Sequence, residues 1–108
     1  MVKRTIIWTK TADLQFVGVL EYWIKRNKST IYSKKLLSKV TERTTQIAIS
    51  PEIYKKTDFA NTLVASLGNF SIFYQTSDSE IIITAFWDNR QDFKKLFEIL
   101  NETPKKTI

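Results

Sequence analysis

Short apolar runs and apolar positions at helical spacing alternate along this chain, and each predicts an element. Lys3 to Trp8 (KRTIIW) is brief, β-branched and aromatic, which predicts a strand. Thr9 then stands where a helix N-cap belongs, with Asp13 near the positive helix end, so a first helix begins there and ends near Asn27. Leu14, Val17, Leu20 or Glu21, and Ile24 recur at helical spacing on it, and Phe16, Val19, Leu20 and Trp23 form a second stripe beside the first. A face this wide predicts a helix clamped between two partners: the sheet and a second helix, or the sheet and another chain.

Ser29 or Thr30 caps a second helix, with Leu36, Leu37, Val40, Thr44, Ile47 and Ala48 along one side and Ser50-Pro51 as its stop. The short connection predicts an antiparallel helical hairpin. Glu52 to Asp58 reads as a loop, and Thr62 to Leu67, Phe70 to Thr76 and Ile81 to Trp87 read as strands joined by Gly68-Asn69 and Ser77 to Glu80 turns. Ile81 to Trp87 (IIITAFW) is almost continuously apolar, which predicts burial on both faces and a central place in the sheet. Phe93, Leu96, Phe97 and Leu100 have the spacing of a terminal helix that ends before Pro104. The predicted fold class is therefore α+β, in the order β-α-α-β-β-β(-α), with the hairpin packed on a small, mostly antiparallel, twisted sheet. Residues 1–103 are expected to form a single domain and residues 104–108 a basic, flexible tail.

Composition narrows the chemistry. The chain has 108 residues, no cysteine and no histidine, which removes disulfides, thiolate nucleophiles, Cys/His zinc sites and histidine acid/base catalysis. No metal or other cofactor is expected. There is no run of about 18 apolar residues and no secretory leader, so the expected partners exclude a membrane and the expected location is cytoplasmic. The net charge of +6 lies wholly within residues 1–54. Between Lys25 and Arg43 seven basic residues (Lys25, Arg26, Lys28, Lys34, Lys35, Lys39, Arg43) accompany one acid, Glu42. Such a band is either a solvated helix surface or an attractor of phosphate backbones and acidic proteins.

The element order, the opening Ile6-Ile7-Trp8-Thr9, the segment Gly68-Asn69-Phe70-Ser71-Ile72-Phe73-Tyr74 and the closing Trp87-Asp88-Asn89-Arg90-Gln91-Asp92 together resemble the RelE/ParE superfamily of bacterial toxins from type II toxin–antitoxin modules. The resemblance covers residues 3–96 and implies a growth-inhibiting toxin neutralised by a cognate antitoxin, whose acidic, partly disordered arm folds onto it. Homodimers, or heterotetramers with antitoxin, are implied as possible assemblies.

Carried over residue by residue, the resemblance to the nuclease branch exposes a deficit. The family's strand arginine falls on Ser71, and its final-turn histidine falls on Asp88. RNA cleavage needs an activated 2′-hydroxyl, a neutralised phosphate and a protonated leaving oxygen. Arg90, Lys55, Tyr74 and Asp88 are the catalytic candidates that remain, with Lys56 and Tyr54 beside them. Arg90 either contacts a phosphate or partner through its guanidinium or forms an ion pair with Asp88 or Asp92 that pins the turn. Asp88 alone is a poor base for a phosphodiester because its charge repels the substrate. The pattern favours ParE-like action, in which DNA gyrase is bound without cleavage by the toxin. The alternatives are ribosome-dependent cleavage of mRNA, a non-toxic relative acting only as a binding module, and a plain nucleic-acid binder. Lys25, Lys28, Lys35, Lys39, Arg43 and Arg90 are the expected partner or phosphate contacts. Phe16, Leu20 and Trp23 are the expected antitoxin or dimer groove.

Overall fold

In the computed structural model, which describes residues 3–102, these runs become β1 (Thr5–Trp8), α1 (Lys10–Asn27), α2 (Ile31–Ile49), a 3-10 turn (Pro51–Ile53), β2 (Lys55–Lys56), β3 (Leu63–Leu67), β4 (Phe70–Thr76), β5 (Glu80–Asp88) and α3 (Phe93–Glu102). The fold is α+β, with a five-stranded mixed sheet in the order β1-β5-β4-β3-β2. β1 runs parallel to β5, and the other neighbours are antiparallel. The expected tail, residues 104–108, lies outside the described residues.

Local chemistry accounts for the helix boundaries. Thr9 Oγ1 accepts from the Ala12 amide at 3.1 Å, which starts α1. The left-handed residue that ends α1 is Lys28 (φ 52°), one place beyond the expected Asn27, and its N–H donates to the Ile24 carbonyl. Thr30 precedes α2 without a side-chain cap, and Ser29 Oγ accepts the Ile31 amide at 3.2 Å instead. Ser33 Oγ donates to the Leu20 carbonyl at 2.8 Å and ties the two helices together.

Two corrections concern the sheet. Residues expected as a loop after Pro51 include β2, whose Lys55 and Lys56 pair with Val64 and Leu63. Two residues are too few to leave a periodic signature. The central strand is β4, and β5 lies between β4 and β1. The near-continuous apolarity of β5 has a second cause besides two-sided burial. Phe73 pairs with Ala85 and Tyr74 with Ile83, so Thr84 is an extra residue, a bulge that reverses the alternation. Ile81, Ile83 and Phe86 consequently enter the core under the hairpin, whereas Ala85 and Trp87 join the cluster on the other face.

The hairpin-side core joins Ala12, Phe16, Leu36, Val40, Ile47 and Ala48 to Ala65, Phe70, Ile72, Tyr74, Ile81, Ile83 and Phe86. Among the described residues the opposite cluster comprises Phe73, Ala85, Trp87 and Leu96 of α3, with Val64 and Leu100 packed against it. On α1 the stripe through Phe16, Val19 and Leu20 turns inward, and the stripe of Leu14, Val17 and Ile24 stays exposed. Leu37, expected inside, is also exposed because α2 turns Leu36 and Val40 to the sheet.

Candidate functional site

β1 is shorter than the strand it flanks. Its register with β5 ends at Trp8 opposite Ile83, so among the described residues Thr84 to Asp88 have β4 on one edge and no strand on the other. Gln15 of α1 fills part of that gap, its Oε1 accepting the Phe86 amide at 2.9 Å. The rest is a cleft of about 670 Å³. Leu14, Gln15, Gly18, Val19, Tyr22, Trp23 and Arg26 supply its α1 wall, and Phe86 to Asp88 with Arg90 and Gln91 supply the other. The α1 residues run from Leu14 to Arg26, twelve steps along one helix flank and a trough roughly 18 Å long at 1.5 Å per step. Apart from its own stretch of helix, no described residue lies within 4 Å of the place a Cβ on Gly18 would occupy, so the wall is open there.

The turn after β5 fixes the far wall. Arg90 Nε donates to Asp88 Oδ1 at 2.9 Å and its Nη2 to Oδ2 at 2.7 Å, while the Arg90 amide also reaches Oδ1 at 3.0 Å. Of the two readings of Arg90, the structure shows the ion pair, with Asp88 as its partner. Hydrogen bonding from the Arg90 side chain holds the Asp88 carboxyl below its usual range, against a smaller opposing effect of burial. A carboxylate held this way is a weak proton acceptor. The guanidinium also lies 5.5 Å from the Trp23 ring centroid, with Arg26 at 6.0 Å. Tyr22 and Tyr32 pack against the same indole at 5.2 and 5.1 Å. Trp87 borders the cleft from β5, but its side chain, 4% exposed, packs in the cluster on the other face of the sheet, and its indole N–H has no acceptor among the described residues.

The structure does not assemble the other catalytic candidates around this turn. Tyr74 is fully buried on the hairpin side, where its hydroxyl donates to the Pro51 carbonyl at 2.6 Å. Burial, reinforced by Tyr54 and Glu52, pushes its pKa far up, which makes it a structural phenol and not a proton shuttle. Lys55 sits on β2, three strand spacings from β5, or about 14 Å across the sheet. Lys55 and Lys56 instead blunt the sheet edge. Ser71, where the resembling family has arginine, donates its hydroxyl to Asn89 Oδ1 at 2.8 Å and steadies the same turn. Among the described residues no group of three or more acidic side chains is placed to hold a metal ion, and no helix is long and apolar enough to cross a membrane.

The expected contact residues divide. Lys25, Lys35 and Lys39 are exposed and have no ion-pair partner among the described residues. Lys28 is exposed too, with its backbone committed to ending α1. Arg43 is half-buried and committed, donating to the Ser66 carbonyl and, at 3.0 Å, to Gln46 Oε1. In the expected groove, Phe16 is a correction: it is buried, stacked on Trp8 at 5.3 Å and packed on Phe86 at 4.8 Å, so it belongs to the core. Leu20 is half-buried against that core, and Trp23 lines the cleft. Sequence reasoning missed Gln15, Gly18, Tyr22 and Tyr32 as site residues. A lone glutamine beside Phe16 on an otherwise apolar flank was the available signal.

The family model for the ParE toxin of type II toxin-antitoxin systems, parDE, matches residues 6–93. A solved structure described as the chromosomal ParDE TA system from P. aeruginosa is similar in fold, with a TM-score of 0.67 at 12% sequence identity. The match covers 78% of this chain and 94% of that one. No curated protein matches the chain.

Proposed function

The chain belongs to the family of ParE toxins of type II toxin-antitoxin systems, and on that premise we propose that it arrests growth by binding a protein target, DNA gyrase, until a cognate antitoxin neutralises it. The observation that carries this reading is the commitment of Asp88, Arg90 and Tyr74 to partners within the chain, beside an open cleft. Groups that an RNA-cleaving centre would draw on hold the turn and the core together. The cleft, by contrast, offers half-buried aromatic surface and guanidinium groups, which are features of protein recognition. Its surroundings suit an acidic antitoxin, because seven basic residues and one acid lie between Lys25 and Arg43 on the hairpin whose α1 forms one wall.

The test is a supercoiling assay with purified gyrase. The expected result is inhibition that rises with toxin concentration and is relieved by the antitoxin. Growth arrest with normal supercoiling and with transcripts cut inside ribosomes would replace this mechanism with cleavage of mRNA.

A further inference from the structure

We propose that the helical hairpin carries a binding site for a single strand of DNA, with phosphates along the α2 flank of Lys35 and Lys39 and a base against the aromatic cluster at Trp23. This deepens the reading in which a DNA-handling enzyme is the target, and it rests on that reading for the choice of DNA over RNA.

Helical spacing builds the flank. Tyr32, Lys35, Lys39 and Arg43 fall at i, i+3, i+7 and i+11 of α2, a single row along one side of the helix. Both ends of the row are anchored within the chain. The Tyr32 ring packs on Trp23 at 5.1 Å, and the Arg43 guanidinium donates to the Ser66 carbonyl of β3. Between these anchors Lys35 and Lys39 are exposed and have no ion-pair partner among the described residues. The four helical steps that separate them rise about 6 Å, a distance that neighbouring phosphates of an extended strand can match. Glu42 is the one acid between Lys25 and Arg43, so a phosphate backbone laid along the row meets chiefly attraction.

At its Tyr32 end the row meets rings. Tyr22 and Tyr32, 55% and 39% exposed, both pack against Trp23. Arg26 and Arg90 lie 6.0 and 5.5 Å from the centroid of the same indole. Arg90 is committed to Asp88, whereas Arg26 has no ion-pair partner among the described residues. Its guanidinium is placed to hold a phosphate beside a stacked base. A solvated lysine face accounts for the charge and gives no reason to gather two exposed tyrosines at the end of it. A nucleic-acid strand offers a flat ring and a phosphate in every repeat, the combination that this surface presents. In a duplex the bases stack on one another, so the rings favour a single strand.

The experiment titrates the full chain into fluorescein-labelled oligo-dT and follows anisotropy across a range of salt. The expected affinity falls with salt at a log–log slope of about −2, from phosphate contacts at Arg26, Lys35 and Lys39. Lys35→Ala/Lys39→Ala is expected to weaken binding about tenfold at low salt and to flatten the slope. Tyr32→Leu is expected to weaken it about fivefold or more. Lys94→Ala/Lys95→Ala removes the same charge from exposed positions of α3 and should leave the affinity unchanged. Thermal melting verifies that each variant folds. The inference is overturned if oligo-dT does not bind at low salt, if the α3 variant loses as much as the α2 variant, or if Tyr32→Leu binds like wild type. It is also overturned if a duplex competes as well as the single strand, or if oligo-rU binds much more tightly, which would assign the row to RNA. Gyrase supercoiling is scored separately: a chain that binds oligo-dT through these residues and leaves supercoiling normal keeps the site and loses the target reading.

Discussion

The two halves of β5 are both largely apolar and have different surroundings. Glu80 to Ile83 lie between β1 and β4, whereas Thr84 to Asp88 have β4 on one side and a cleft on the other. Both halves send large side chains under the hairpin: Ile81 and Ile83 from the first, Phe86 from the second. What separates them is edge chemistry. The first half has its backbone groups met by a strand, and the second has one amide met by Gln15. The sheet ends differently at β2, which is two residues long and carries two lysines. Short, charged edges repel added strands. The uncovered half of β5 lacks those defences, and a protein that must recognise a partner has reason to keep such an edge.

Substitutions separate the burial that the halves share from the edge that distinguishes them. Phe86→Ala is expected to cost about 3–5 kcal/mol and Ile83→Ala about 2–5 kcal/mol, read from denaturant midpoints. Comparable losses show that the hairpin anchors both halves alike, and a much smaller loss at Phe86 would mean the uncovered half is loosely held. Tyr74→Phe removes the hydrogen bond to the Pro51 carbonyl and is expected to cost about 1–2 kcal/mol. Because the folded state raises the Tyr74 pKa, its contribution is complete below the unfolded value of about 10 and declines as pH rises above it. A stability profile between neutral and alkaline pH should fall for wild type and fall less for Tyr74→Phe.

Gln15→Ala, which leaves the Phe86 amide without its acceptor, is expected to cost about 1 kcal/mol. It should speed amide exchange at Phe86 and leave Ile81 to Ile83 unchanged; equal acceleration of both halves would erase the distinction. Gly18→Ala should raise stability by about 0.5–1 kcal/mol, since Gly18 is inside a helix with open space around it. The smallest effect is at Asp88. Its folded pKa lies below the unfolded value, so its contribution is present above pH of about 4 and is lost as pH falls through the folded pKa. Asp88→Asn should therefore flatten the acid limb of the stability curve, only slightly, because the Arg90 side of the pair is exposed.

Much of the fold was legible because it rests on local signals. The Thr9 cap, the Ser50-Pro51 stop, the Gly68-Asn69 turn and the exact run of β4 all follow from neighbouring residues. β2 was not legible, since its pairing with β3 is set by the chain's return and not by its own two lysines. Nor was the bulge at Thr84, which hides in a run where every residue is compatible with burial. The candidate site was legible at Arg90, Asp88 and Trp23 and illegible as a place. It exists because β1 stops four residues into a nine-residue strand, a mismatch between two segments some 75 positions apart. The phenol of Tyr74 and the lysine of Lys55 were grouped with Arg90 as chemical types, and the sheet separates them by face and by strand order.

The central claim is that this chain acts by docking and not by chemistry, and one comparison tests it most directly. Wild type and the double variant Lys55→Ala/Tyr74→Phe, expressed at equal levels, are compared for growth arrest and for transcript integrity by primer extension. The account predicts equal arrest with intact transcripts in both. Cleaved transcripts with wild type, and loss of both cleavage and arrest in a folded double variant, would contradict it.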